Sequence, residues 1–333
     1  MLKVFFKKGE ICVKETDTPK LNFDDFENVI LRVIYSGFCG SDIHRIDDFS
    51  DFKNTIPTLG HEIVGEVIYS NNSKFSSGCL AVLMPIGSCG KCKYCKIGKI
   101  QFCINSVSIG KNSDGGFTER IKVPARMLYD ISSLNKCYVL TDSFACILHA
   151  ENFIGKLKDK RICVIGDGAI AELAVRYFSL ENNVTNIVKN SENSVDKFAR
   201  RINYKLFSSL DYKNNFNVVF DCVGGKNTDL INLSGDMLDF GGSLIVLGVY
   251  NKDFSPAIYL RNLFYKEIKI LGSNSFDIND EIDEFNNAIK FIESNIDLFK
   301  DIITHEIPLI NFKQGVDIFK NKGETNAKKI IFT

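Results

Sequence analysis

Four cysteines, Cys89, Cys92, Cys95 and Cys103, fall within fifteen residues in the spacing C-x2-C-x2-C-x7-C. Two-residue gaps let successive thiolates converge on one ion. Lys91, Lys93, Lys96 and Lys99 lie among them and offset their negative charge. Four soft sulfurs with no open position suit a structural, tetrahedral zinc. An iron–sulfur cluster is the alternative, since closely spaced cysteines also hold clusters. A closed zinc site stabilises a loop and does no chemistry. The chain has 11 Cys. That odd total, with seven of them scattered, does not read as a disulfide framework. It points to a reducing compartment, and the expected location is the cytoplasm. Cys12, Cys79, Cys137, Cys146, Cys163 and Cys222 read as reduced packing or turn residues.

Around that loop, the chain has 333 residues, a length that predicts two domains able to bury a core each. Its 41 Lys+Arg balance 41 Asp+Glu, so there is no basic field for nucleic acid or anionic membrane. No apolar run approaches the roughly 18 residues of a transmembrane helix. Met1 to Lys8 has a lysine inside its short apolar stretch and no small-residue cleavage site after it, unlike a secretory signal.

Residues 1–140 read as short β-branched runs broken by turns, such as Val29 to Tyr35 and Ile63 to Tyr69. The texture changes near 143. Ser143 to Phe153 has helical apolar spacing, Arg161 to Ile165 reads as a buried strand, and Ala169 to about Leu180 as a helix. Further strands are expected at Val184 to Val188, Asn217 to Asp221, Ser243 to Gly248 and Lys269 to Ser273. Strands alternating with helices imply βαβ units and a parallel sheet. A helix is expected from Asp280 to Ser294, with Ile282, Phe285, Ile289 and Ile292 inward, and a last strand over Lys328 to Phe332.

Two segments carry a second set of metal-ligand side chains: Gly37-Phe38-Cys39-Gly40-Ser41-Asp42-Ile43-His44 and Gly60-His61-Glu62-Ile63-Val64-Gly65-Glu66-Val67. Cys39 offers a thiolate, His61 an imidazole and Glu62 a carboxylate. Three protein ligands plus water make a catalytic zinc. Taken singly, a cysteine is more often a small buried hydrophobe and a histidine an ordinary core or surface residue. Spacing alone leaves both readings open.

A third signal is Val164-Ile165-Gly166-Asp167-Gly168-Ala169-Ile170-Ala171, a G-x-G-x-x-A turn after a strand and before a helix. Gly166 permits the tight turn. Gly168 lets the backbone, with Ala169 and Ile170 opening the helix, approach a dinucleotide pyrophosphate. Users of NAD carry an acid about 20 residues on, for the ribose 2′-hydroxyl. Here the strand end is Val188-Lys189-Asn190-Ser191, with no acid. Lys189 and Asn190 can hold a 2′-phosphate, so NADP is favoured over NAD. A plain solvated lysine is the other reading of Lys189.

Along the chain the Cys39 segment, the His61 segment, the four-cysteine loop and the Gly-rich turn follow in that order, and together they resemble the zinc-dependent medium-chain alcohol/polyol dehydrogenases over essentially the whole chain. The resemblance implies an α/β architecture. A GroES-like, β-rich catalytic domain (1–140 and 275–333) is interrupted by a Rossmann doubly wound parallel-sheet domain (141–274). It implies Cys39 and His61 as zinc ligands and Glu62 as a ligand or adjacent carboxylate. Ser41 would take the substrate hydroxyl proton, His44 would relay it outward, and Asp42 would orient the neighbouring histidine. Polyol-type members carry a glutamate where this chain has Asp142, one methylene shorter, so a direct or water-mediated contact to the metal is expected there. Cys146 and His149, on the following helix, read as packing residues. Val223, Gly248 and Ser273 follow strand ends and become expected nicotinamide or ribose contacts.

From Gly166 onward the chain resembles ribitol-5-phosphate dehydrogenases, through Gly-Asp-Gly, Cys-Val-Gly-Gly, Leu-Gly-Val and Leu-Gly-Ser. That implies an NADPH-dependent reduction of ribulose 5-phosphate. Arg45, Lys53 and Arg126 are candidates for a phosphate. The expected partner is a small-molecule substrate, and the resemblance implies a homodimer or homotetramer joined near 243–274. Three rivals stay in view: an NAD-dependent alcohol or threonine-type dehydrogenase, a noncatalytic NADPH-binding zinc protein, and an iron–sulfur redox protein. Cys39, Ser41, His61 and Glu62 occurring together argue against a noncatalytic protein.

Overall fold

The computed structural model of the chain describes residues 1–7, 10–47, 57–189, 194–226, 229–255 and 258–333. Two compact units emerge: Met1–Asp142 with Phe276–Thr333, and Ser143–Ser275.

The first unit opens with an antiparallel hairpin of β1 (Leu2–Lys7) and β2 (Glu10–Glu15). There follow β3 (Asn28–Phe38), α1 (Gly40–Asp47), β4 (Glu62–Ser70), β5 (Leu80–Leu83), β6 (Ile86–Gly87), α2 (Lys93–Lys96), β7 (Val107–Ser108), β8 (Arg120–Pro124) and β9 (Leu128–Asp130). α3 (Thr141–Asn152) leads the chain into the second unit. There lie β10 (Arg161–Ile165), α4 (Ala169–Phe178), β11 (Asn183–Val188), β12 (Ser194–Val195), β13 (Arg200–Asn203), β14 (Phe216–Asp221), α5 (Asp229–Met237), β15 (Leu238–Val246), α6 (Leu260–Lys266) and β16 (Lys269–Gly272). The chain then returns to the first unit through α7 (Glu284–Ser294), α8 (Ile296–Phe299), β17 (Ile303–Ile307), α9 (Phe312–Lys320), α10 (Lys322–Thr325) and β18 (Lys329–Phe332).

The first unit's main sheet runs β17-β18-β3-β4-β5-β9, with β8 also on β3. The long, apolar β3 is its hub, pairing β4, β8 and β18. At its end, Phe38 packs among Phe117, Phe312 and Phe332. The Phe312 and Phe332 ring centroids are 4.5 Å apart, and those of Phe117 and Phe312 4.7 Å. Such a ring cluster holds more than its buried area alone. It fixes the backbone just before Cys39.

The second unit's sheet runs β12-β13-β11-β10-β14-β15-β16 and is parallel except between β12 and β13. Strand order reverses beside β10, the point at which open α/β sheets bind ligands outside their carboxyl ends. The G-x-G-x-x-A turn leaves the end of this β10.

Three differences from expectation have a clear physical reason. β13 was hidden by its composition, Arg200-Arg201-Ile202-Asn203. Arg201 earns its place by donating to Asn186 at 2.7 Å, Glu172 at 3.1 Å and Asp196 at 2.8 Å. β15 starts at Leu238 rather than Ser243, through a register shift against β14, and ends at Val246 rather than Gly248. It stops there because Leu247 and Gly248 both donate their N–H to the Asp221 carbonyl instead. α7 begins at Glu284 rather than Asp280. Asp283 caps it by accepting from the Asn286 N–H at 2.8 Å, and Ile282 is left 39 % exposed before it. His149 is buried with its ring 4.7 Å from Phe153, as a packing residue. Among the described residues no helix is long and apolar enough to cross a membrane.

Candidate active site

Cys39 is the single residue between β3 and α1, while His61 precedes β4 and Glu62 opens it. Gly37 and Glu62 are register partners on these antiparallel strands, so the sheet itself brings the two segments together. One donor atom each from Cys39, His61 and Glu62 lies within 4.8 Å of the others. A thiolate, an imidazole and a carboxylate are the donor types of a catalytic zinc, in which three protein ligands leave the fourth position to water or substrate.

Asp42 is fully buried and does two things. Its Oδ2 accepts from the Cys39 N–H at 3.0 Å, while its own N–H donates to the Cys39 carbonyl at 3.0 Å. This is one half of a helix-capping box, closed by a backbone turn bond, and it sets the Cys39 backbone at the start of α1. Its Oδ1 stands 3.5 Å from His61 Nδ1. Asp142 lies on the other side of that ring, 3.7 Å from Nε2. Burial works against a charged His61 ring, but the Asp42 carboxylate and the Cys39 sulfur outweigh it and raise the pKa well above the ordinary value. Asp142 stands outside the three-donor set. Burial, only partly opposed by His61, lifts its carboxyl to about 6.

Sequence reading missed Lys329. Its Nζ donates to both oxygens of Glu62, at 2.6 and 2.7 Å, and both side chains are buried. A lone lysine within the apolar strand Lys329-Ile330-Ile331-Phe332 was the available signal, because a buried lysine needs a partner. Gly37 was missed too. A Cβ there would stand 2.2 Å from Glu62 Oε2, so only glycine lets the carboxylate lie across β3.

Ser41 and His44 sit three residues apart on α1, Ser41 half-buried and His44 exposed. Of the phosphate candidates, Arg45 already donates to the Gly110 carbonyl, Arg126 is exposed, and Lys53 lies outside the described residues.

Cys89, Cys92, Cys95 and Cys103 also bring their sulfurs within 4.8 Å of one another. Cys92 and Cys95 Sγ are 3.4 Å apart, and the Cys89 N–H donates to Cys103 Sγ at 3.3 Å. The Cys95 backbone N–H draws the Cys92 thiol down to about 6, while burial pushes Cys95 up to about 11. Four thiolates this close repel one another, so the set fits a bound cation. Of the lysines, Lys99 is paired with Asp277 and Lys93 lies 4.8 Å from the Tyr94 ring centre. Those two have local partners of their own rather than serving only the sulfurs.

In the second unit, Gly168 precedes α4, with no side chain capping the helix. Nothing lies within 4 Å of where a Gly168 side chain would begin, which leaves the N–H groups of Ala169 and Ile170 at an open helix start. That cradle fits a pyrophosphate. Asn186 donates to the Val164 and Gly166 carbonyls, both at 2.9 Å, and pins the turn from beneath. Lys189 is exposed at the end of β11, and Asn190 lies outside the described residues. Val223 is exposed at the end of β14, and Gly248 follows β15. Ser273 follows β16, and its Oγ is buried without a partner among the described residues, an orphan that a cofactor's hydroxyl or amide would satisfy.

Residues 25–133 match the alcohol dehydrogenase GroES-like domain family. The chain is 24% identical over 337 residues to D-arabinitol dehydrogenase 1 of Uromyces fabae, covering 95% of this chain and 93% of that one. Its fold is shared by galactitol-1-phosphate dehydrogenase from Escherichia coli, with a TM-score of 0.86, 20% identity, and 100% and 99% of the two chains covered. It is also shared by a zinc-binding dehydrogenase from Sinorhizobium meliloti 1021 bound to NADP, with a TM-score of 0.84, 21% identity, and 100% and 99% covered.

Proposed function

We propose that this chain, a zinc-dependent medium-chain alcohol/polyol dehydrogenase that uses NAD(P), interconverts a secondary alcohol and a ketone on a polyol or sugar alcohol. The observation that carries this reading is the open Cys39, His61 and Glu62 set beside a helix bearing Ser41 and His44. When bound, zinc supplies a Lewis acid for the substrate oxygen, and the nicotinamide supplies or accepts the hydride.

The chain's own residues do the rest. Ser41 accepts the hydroxyl proton. His44, three residues on and therefore on the same helix face, passes it to solvent. Asp42 stands beside His61 Nδ1, so Nε2 is the nitrogen that would ligate zinc. Lys329 pairs with Glu62 and orients its carboxylate. Gly168, Ala169 and Ile170 take the pyrophosphate, and Val223, Gly248 and Ser273 the nicotinamide end.

NADP is the favoured cofactor. The missing acid at the end of β11 and the exposed Lys189 support this, as does the likeness to a dehydrogenase bound to NADP. A phosphorylated polyol, with ribulose 5-phosphate reduced to ribitol 5-phosphate, is the finer substrate reading, supported by the motifs from Gly166 onward and the likeness to galactitol-1-phosphate dehydrogenase. A homodimer or homotetramer is supported by the outer position of β16 in its sheet and by exposed Leu260, Phe264 and Tyr265 on α6.

The test is a panel of free and phosphorylated polyols and L-threonine, each with NADP and NAD, on the parent and on Lys189→Ala. The expected result is turnover of a polyol with NADP preferred, and loss of that preference in Lys189→Ala. Turnover confined to L-threonine with NAD would overturn the substrate and cofactor reading.

A further inference from the structure

Beyond the expected cofactor contacts, the second unit contains a buried carboxylate that joins two loops. Asp221 ends β14 and is 1% exposed. Its Oδ1 accepts from the Val223 N–H at 2.9 Å and, more weakly, from the Gly224 N–H at 3.4 Å. Its Oδ2 accepts from the Tyr250 hydroxyl at 2.6 Å. Its backbone carbonyl takes both the Leu247 and the Gly248 N–H at 2.9 Å. One residue therefore serves the turn after β14 and the loop after β15 together.

The two loops also meet directly. Gly225 N–H donates to the Val249 carbonyl at 2.8 Å, and Asn251 N–H to the Gly225 carbonyl at 3.1 Å. They run so close that a Cβ on Gly248 would stand 2.2 Å from the Gly224 nitrogen. Tyr250 is half-buried and stacked on Phe254, with ring centres 5.9 Å apart and planes 7° from parallel. Burial, and then the Asp221 carboxylate, raise its pKa, so the phenol stays a donor.

We propose that the Tyr250 hydroxyl, bonded to Asp221, locks residues 222–225 and 247–251 into one platform that presets the backbone around Val223 and Gly248 for the nicotinamide end of the cofactor. Tyr250 is a positioning residue: it acts through Asp221 and the loop backbones. The inference rests on the reading that the cofactor lies along the carboxyl ends of β14, β15 and β16. The physical reason is preorganisation. Loops already held in the bound geometry need not be ordered when the cofactor arrives.

Tyr250→Phe removes one oxygen, keeps the ring stack and is the direct test. NADPH binding is titrated by its fluorescence, and steady-state kinetics and Tm are measured alongside. We expect the NADPH Kd and KM to rise roughly five- to tenfold, the net scale of one intramolecular hydrogen bond, while substrate KM moves by less than about twofold. Should Tyr250→Phe fail to fold, with Asp221 left half-satisfied, the double variant Asp221→Asn/Tyr250→Phe removes the buried charge. It is expected to fold and to bind NADPH more weakly by a similar factor. A folded variant with lower Tm but the parent's NADPH Kd would make Tyr250 merely structural and overturn the proposal. A parent that binds neither NADPH nor NADH would instead overturn the cofactor reading beneath it.

Discussion

Cys89, Cys92, Cys95 and Cys103 come from one loop and meet chiefly one another, whereas Cys39, His61 and Glu62 come from the adjoining ends of two strands and are ringed by Asp42, Asp142 and Lys329. The loop set offers four identical sulfurs and nothing to hand a proton to. The strand set mixes sulfur, nitrogen and oxygen, and each donor has a neighbour that orients or charges it. Metal donors alone do not make a reactive centre; the groups behind them decide whether a bound ion holds a loop or works on a substrate.

Substitutions on the two sides should therefore fail differently. His61→Ala should lower turnover by roughly a thousandfold or more while the protein stays folded, the scale of losing several kcal/mol of charge stabilisation. Cys92→Ser should do the reverse, lowering Tm and loosening residues 87–105 while the folded fraction still turns over. Paired activity and thermal-melt measurements check both, and equal loss of activity in the two variants would erase the contrast.

Lys329→Met comes next. It leaves Glu62 charged and buried without its cation, so it should destabilise by about 3–5 kcal/mol in denaturant unfolding. A double variant Lys329→Met/Glu62→Leu, with no buried charge, should recover much of that stability. Gly37→Ala forces a Cβ against Glu62 and should cost about 1–3 kcal/mol, with turnover falling as the carboxylate is displaced. The smallest effect is expected at His44, which is exposed. His44→Ala should lower kcat roughly tenfold, with added imidazole restoring part of it. No response to imidazole would remove His44 from the proton route.

How much could be read in advance follows the same division. The four-cysteine loop is legible because its donors are neighbours in sequence. The G-x-G-x-x-A turn is legible because strand, turn and helix are consecutive. Lys329 and Gly37 escaped notice because their meaning lies in a contact made by the sheet, with Lys329 reaching a residue 267 positions away. β13 escaped because Arg201 replaces apolar packing with bonds to Asn186, Glu172 and Asp196. The early start expected for α7 was an error of periodicity, since Asp283 caps the helix after Ile282. Apolar patterning found the strands that bury oily faces, but not the polar links that tie the site together.

The contrast comes down to two zinc ions of different character in one chain, one closed in the loop and one at the strand ends with a position for substrate. Metal content per folded chain, measured by mass spectrometry on the parent and on Cys39→Ala, separates the two. We expect two zinc equivalents in the parent, and in Cys39→Ala a single retained equivalent with the fold intact and turnover abolished. One equivalent in both proteins, or iron in place of zinc, would rule out the two-zinc reading.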